Sequence, residues 1–189
     1  MIDVQNKKLC IFGIQCSGKT ELAKHIIRHF QKPMIYEVNP DMRNTNAYIY
    51  RPTSLTLDEL DEFCLKVKKL AKLGKINLFV LDEADMFFRS NFDLMPKMND
   101  LIINHRHYNL SLLFVSRRPQ DIPSKIIESS HHIFVFSIDG VNAIEKLSKL
   151  HKGFKILLGK LEYEKYNFIH KAIGQAPILR KAIKISKDL

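Results

Sequence analysis

The chain alternates short, mostly apolar runs with longer stretches whose apolar residues recur every three or four positions. The runs are "LCIFG" (9–13), "MIYEV" (34–38), "INLFVL" (76–81), "LSLLFV" (110–115) and "HIFVFSI" (132–138). Runs of this kind predict strands buried on both faces of a parallel sheet. Between the first two, Leu22, Ala23, Ile26, Ile27 and Phe30 share one helical face, so a helix is expected from Thr20 to Phe30, ahead of Pro33. Thr56 reads as an N-cap, with Glu59 three residues on completing a capping box. Leu60, Phe63, Cys64, Val67, Leu70 and Ala71 form the stripe that follows, and Gly74 ends it. Two further helices are expected near Leu94–His105 and Asp139–Leu150. Strand–helix alternation predicts an α/β fold with a mostly parallel central sheet flanked by helices.

After Gly153 the rhythm changes. "KLEYEKYNFIHKA" alternates, with "YN" near its middle, and predicts a hairpin or an edge strand. "ILRKAIKI" predicts one more short strand. The expected organisation is a core over 1–152 and a small, basic β extension over 153–189, packed on the same domain. No repeat, linker or low-complexity segment interrupts it.

Composition narrows the class. The 189 residues are 46% hydrophobic and 26% charged, enough for one α/β domain with a substantial core. No apolar run approaches the roughly 20 residues that span a bilayer, and "MIDVQNKKLC" has no apolar signal-peptide core. A cytoplasmic protein without stable membrane insertion is expected. Three cysteines without CxxC spacing argue against a disulfide framework or a zinc site. The formal charge is +10 and uneven: from Val141 onward, eleven Lys and Arg face four Asp and Glu. A basic C-terminal quarter points to a polyanionic partner, nucleic acid before membrane.

The chemistry begins at "GIQCSGKT", Gly13 to Thr20, which matches G-x-x-x-x-G-K-[ST] between a strand pattern and a helix pattern. By average residue usage, four such fixed positions arise by chance in on the order of one sequence of this length in a hundred. Gly13 and Gly18 let the backbone curl. The amides of Ile14, Gln15, Cys16 and Ser17 can then face phosphates, and the helix adds its positive end. Lys19 is expected to reach the outer phosphates of ATP and Thr20 to hold Mg²⁺. The acidic partner of the metal comes from "INLFVLDEAD". Asp82 ends an apolar strand and suits Mg²⁺, and Glu83 suits polarisation of an attacking water.

Three polar clusters remain. "SLLFVSRRPQDIP" ends its strand in Ser116, Arg117 and Arg118, where either arginine meets phosphate or nucleic acid, or else pairs with Asp121 or another acid at the core edge. "NHRHYNLS" sets Arg106 between His105 and His107, read as solvated loop histidines. Asn39, Pro40 and Asp41 follow the second strand, as a turn or as part of a pocket.

Together, "GIQCSGKT", "LFVLDEAD" and the block "NHRHYNLSLLFVSRRPQDIP" resemble the HerA/FtsK branch of P-loop ATPases. The likeness is nearest to the single-domain DNA-packaging ATPases of membrane-containing double-stranded DNA viruses, and it covers roughly residues 8 to 138. That resemblance implies a RecA-like core of the additional-strand, catalytic-glutamate type. It implies a homo-oligomeric ring, hexameric in the family, that spends ATP on moving duplex DNA, with a capsid or portal protein as a further partner. It implies Lys19 and Thr20 as the Walker A pair, Asp82 and Glu83 as the Walker B aspartate and catalytic glutamate, and Arg106 as an arginine acting on the neighbouring subunit. Arg117 stands where the family usually carries a sensor glutamine, and an arginine, a donor only, cannot position water in the same way. A small P-loop kinase and a non-translocating ATP-dependent assembly module are the alternative functions. A kinase needs an arginine-bearing lid, which is not apparent, and a carboxylate at Glu83 is more natural in a hydrolase.

Overall fold

The computed structural model describes residues 2–43, 45–88 and 94–183. The core strands are β1 (Lys8–Phe12), β2 (Pro33–Tyr36), β3 (Tyr48–Tyr50), β4 (Leu78–Leu81), β5 (Ser111–Ser116) and β6 (His132–Val135). β7 (Phe168–Ala172) and β8 (Ile178–Arg180) follow. They form one sheet in the order β3-β2-β4-β5-β1-β6-β7-β8. The strands from β3 to β6 in that order run parallel, and β7 and β8 are antiparallel. β5 therefore lies between the strand that leads into "GIQCSGKT" and the strand that leads into Asp82.

Alternation along each strand splits the core in two. Cys10 and Phe12 of β1, Tyr36 of β2, Phe79 and Leu81 of β4 and Phe114 of β5 point to one face. That face is covered by α2 (Leu57–Lys72), α4 (Pro96–Asn104), α5 (Ser124–Glu128), α6 (Val141–Leu150) and α7 (Gly153–Leu158). Leu9, Ile11, Ile35, Val80, Leu113, Val115 and Phe134 point to the other face, against Leu22, Ala23, Ile26 and Ile27 of α1 (Lys19–Ile27). Burying each of the larger side chains contributes about 2 kcal/mol. The α1 stripe thus seats the helix so that its first turn stands over the end of β1.

The sheet core is as the apolar runs predict, and the structure refines the rest. α1 stops at Ile27, and Phe30 enters the core from a tight turn in which its N–H donates to Ile27 O at 2.9 Å. Thr56 caps α2, its hydroxyl accepting from Glu59 N–H at 3.3 Å. Glu59 does not return the bond to Thr56. It accepts instead from Thr53 N–H, Ser54 N–H and hydroxyl, and the Tyr50 hydroxyl, tying the loop before α2 to β3. Those bonds, the Ser54 hydroxyl first, hold its carboxyl down at about 2. "KLEYEKYNFIHKA" is not itself a hairpin. Tyr163–Lys165 is a single 3₁₀ turn, Tyr166 is left-handed (φ 50°), and the strand begins only at Phe168. The hairpin lies one step later, β7 to β8, and its antiparallel pairing with β6 extends the main sheet. The end of "ILRKAIKI" lies outside the described residues. Four short elements carry no periodic signal in the sequence: β3, α5, α7 and α3 (Asp85–Phe88).

Candidate nucleotide-binding site

At the carboxyl edge of the sheet, Phe12 of β1 pairs with Ser116 of β5 on one side and Val135 of β6 on the other. The chain then turns through Gly13, and Ile14 N–H donates to Ser137 O at 2.8 Å, pinning the loop to the end of β6. A Cβ at Gly13 would sit 2.6 Å from Ser17 Oγ and 2.7 Å from Phe136 Cβ, so no larger residue fits. Gly18 (φ 101°) takes a left-handed backbone at no steric cost, whereas Cys16 (φ 58°) takes one at about 1 kcal/mol. Gly18 caps α1 without any side-chain bond, which leaves the first-turn N–H groups facing the loop. Ser17 Oγ is buried there with no partner among the described residues. Lys19 is buried and reaches back over the loop, its Nζ donating to Ile14 O at 2.7 Å. Burial lowers its pKa, against the raising pull of Glu83. Curled amides, an unpartnered hydroxyl, a buried ammonium and a helix N-terminus on one concavity form a cradle for phosphates.

The cradle opens into a cavity of about 370 Å³ lined by residues 16–22, Phe136, Tyr166, Ala182 and Ile183. Its far wall is aromatic and aliphatic, which suits the face of a nucleobase. The Tyr163 hydroxyl donates to Gln15 O at 3.2 Å, so the C-terminal segment rests on the phosphate loop itself. Sequence reasoning missed Phe136, Tyr163, Tyr166 and Ile183. The aromatic pair in "YEKYN" was the available signal, but nothing local ties it to a loop some 150 residues away.

The acids arrive from β4. Asp82 N–H donates to Tyr36 O at 3.1 Å, and the side chain is 4% exposed. Burial first, then Glu83, Asp41 and Glu37, push its pKa up to about 7. A buried carboxylate among other acids is stable in its charged form only beside a cation. With the Thr20 hydroxyl in the first turn of α1, the oxygen donors at this edge are of the kind that fits Mg²⁺, which takes one or two protein oxygens plus phosphates and water. Glu83 is left-handed (φ 48°), a backbone strain that turns its side chain away from the line of the strand. Its Oε1 accepts from Arg117 at 3.0 Å (Nη2) and 3.3 Å (Nε). Of the two arginines ending β5, Arg117 thus takes the core-edge acid. Arg118 is exposed, and its N–H donates to the Ser116 hydroxyl at 3.1 Å. Asp85 opens α3 and accepts Arg117 N–H through Oδ1 at 3.2 Å, anchoring the backbone beneath the guanidinium. The Asn39–Asp41 segment follows β2 on this edge. Beside it, fully buried Glu37 accepts from Met42 N–H and pairs with Arg51, both at 2.9 Å.

Arg106 is not part of this site. It precedes β5, on the opposite edge of the sheet, where its guanidinium bonds to the His131 ring. There it helps line a cavity of about 510 Å³ with Lys8, His105, His107, Lys125 and His131, and among the described residues no carboxylate lines that cavity. His105 is buried and bonds Leu110 O at 2.7 Å, contrary to the expected solvated loop; His107 is exposed.

No family model matches the chain, and no curated protein matches it in sequence. Solved structures do. The genome packaging NTPase B204 of Sulfolobus turreted icosahedral virus 2, in complex with ATP-gammaS, superposes with a TM-score of 0.81 at 18% identity, covering 94% of this chain and 98% of that one. B204 of Sulfolobus turreted icosahedral virus, a DNA-packaging ATPase, gives 0.80 at 16% identity, covering 96% and 100%. The N-terminal domain of zonular occludens toxin from Neisseria meningitidis gives 0.57 at 10% identity, covering 94% and 95%. The chain shares the fold of these proteins. Among the described residues no helix is long and apolar enough to cross a membrane.

Proposed function

We propose that the chain is a Mg²⁺-dependent ATPase that drives duplex DNA as a homo-oligomeric ring, in the service of genome packaging. One observation carries the hydrolase part. The sheet brings Lys19, Asp82 and Glu83, scattered in sequence, to a single edge around a phosphate cradle, with Glu83 placed two strands from the loop. In this reading Gly13–Thr20 hold the phosphates, Thr20 and Asp82 hold the metal, and Glu83 orients the water. Mg²⁺ would neutralise charge on the phosphates. The aromatic wall would take the adenine.

The DNA part has three supports. The two B204 structures are those of packaging enzymes. The C-terminal quarter presents Lys149, Lys152, Lys155, Lys160, Arg180 and Lys181 to solvent. Arg106 stands on the edge opposite the cradle, and in a head-to-tail ring opposite faces of neighbouring copies can meet, which suits the trans-acting role that the resemblance implies. Hexameric closure and docking on a capsid or portal protein belong to the same proposal.

The test is ATP hydrolysis with and without duplex DNA, for the wild type and for Glu83→Gln. We expect Mg²⁺-dependent turnover stimulated by DNA, and loss of at least about a hundredfold in the variant, the scale of a general base. Substantial turnover indifferent to both DNA and the substitution would overturn the translocase reading. Turnover that depends on a small phosphate acceptor would place the chain among the kinases.

A further inference from the structure

Arg117 and Glu83 follow the ends of neighbouring strands, β5 and β4, at the cradle. Phe12 pairs with Ser116 across β1 and β5, and Leu81 pairs with Phe114 across β4 and β5. Arg117, the first residue after β5, therefore flanks Gly13, the first residue of the phosphate loop, and Glu83 flanks the end of β5 from the other side. Lys19 lies within electrostatic reach of both, together with Asp82 and Asp85. The Arg117 backbone is fixed through Asp85, while its side chain is 43% exposed; the Glu83 side chain is 13% exposed. The guanidinium spends two N–H groups on one oxygen of Glu83. A carboxylate that accepts both bonds is poorly placed to accept a proton from water.

A triphosphate seated on the loop would bring a second anion to the same guanidinium. Arginine binds phosphate oxygens in two-pronged fashion at least as well as it binds a carboxylate. We propose that Arg117 is a nucleotide-sensing latch on Glu83: its guanidinium exchanges between the Glu83 carboxylate and the terminal phosphate of a bound nucleoside triphosphate. With a triphosphate in place, the exchange frees Glu83. The water oxygen then bonds to the terminal phosphorus, the bond from that phosphorus to the bridging oxygen breaks, and the diphosphate leaves with the electron pair. Glu83 takes the proton of the water and returns it to solvent. Arg117 stays on the oxygens that gain charge. A diphosphate offers no terminal phosphate, and Arg117 returns to Glu83. This inference rests on the nucleotide reading of the site and adds to it a reason why arginine stands at the end of β5.

The test uses ADP and the slowly hydrolysed analogue ATP-gammaS. Dissociation constants are measured for the wild type, Arg117→Ala and Arg117→Lys, and structures of the wild type are determined with each nucleotide. Arg117→Ala should leave ADP affinity within about twofold and weaken the analogue about tenfold or more, the scale of a charge-assisted phosphate bond. Arg117→Lys should recover part of that loss. The analogue complex should show the guanidinium on the terminal phosphate, and the ADP complex should show it on Glu83. Equal weakening of both nucleotides, or an Arg117–Glu83 pair unbroken in the analogue complex, would overturn the latch and leave the ATPase reading standing. Failure of the wild type to bind either nucleotide would overturn both.

Discussion

At the scale of single residues, the tight turn between β1 and α1 sets the strictest constraints on the site. Gly13, Gly18, Lys19 and Thr20 stand at fixed offsets because one tight loop and one helix turn carry all four, and the Cβ clash at Gly13 shows how little room the loop has. The Arg117–Glu83 pair spans 34 residues, and the Tyr163 bond to Gln15 spans 148. Each exists only because strands from distant parts of the chain end at the same edge. Cys16 joins the two cases. Its place in the motif was evident, and the structure adds that it is exposed and left-handed within the phosphate loop. Alkylation there would put a bulky group among the phosphate-binding amides. We therefore expect N-ethylmaleimide to abolish nucleotide binding by the wild type while Cys16→Ala binds normally after the same treatment. Cys10 and Cys64 are buried, with their thiols pushed up to about 12 in the first case and higher still in the second, so they react slowly. Equal inhibition of wild type and variant would refute the assignment.

At the scale of elements, a strand was legible where burial on both faces makes it apolar throughout, as in β1, β4 and β5. It was obscure where burial is partial. β3 is exposed along "YIY", and β7 carries His170 and Lys171 at inward and half-buried positions, so neither gives a clean period. His170 shows what the second case costs. Its ring stacks on Phe134 with centroids 4.7 Å apart, its Nε2 lies 3.1 Å from His132 Nδ1, and its Nδ1 has no partner among the described residues. Burial, with the charges of His132 and Arg180, lowers its pKa from 6.5 to about 4, and burial beside Arg106 does the same to His131. Above the ordinary value of 6.5, both rings are neutral folded or unfolded, and no penalty arises. Below it the unfolded chain takes up protons that the folded sheet refuses, so stability falls as pH drops from about 6.5 towards 4. Urea midpoints should therefore decline over that window, and His170→Phe, which keeps the stack and removes the titrating ring, should flatten part of the decline. An unchanged slope in the variant would show that His170 is not responsible.

At the scale of the whole molecule, the order of strands explains both the success and the gap. Parallel strands with helical crossovers bring every carboxyl end to one edge, so the loop after β1 and the two acids after β4 come together there, as their places in the sequence led one to expect. The same rule sends Arg106 and the cationic cavity to the other edge, which no motif discloses. Charge was read correctly as a surplus in the C-terminal quarter, but its display had to be seen. Lys149, Lys152 and Lys155 lie on the exposed sides of α6 and α7 and at the bend between them, and none is held in an ion pair among the described residues. A motor that moves along a polyanion without reading its sequence needs cationic groups of this kind, directed at phosphates and released in steps. If these lysines neutralise phosphates, duplex binding should weaken steeply with salt. Replacing all three by Gln should then reduce the slope of log affinity against log salt by about 0.9 for each phosphate no longer neutralised. The slope separates this reading from a general loss of folding, because a misfolded variant loses affinity without a graded change in counterion release. The three sites are exposed, so the substitutions should leave the urea midpoint unchanged. A slope identical to the wild type would move the DNA path off this face, leaving the cavity around Lys8 and Arg106 as the next surface to probe by the same measurement.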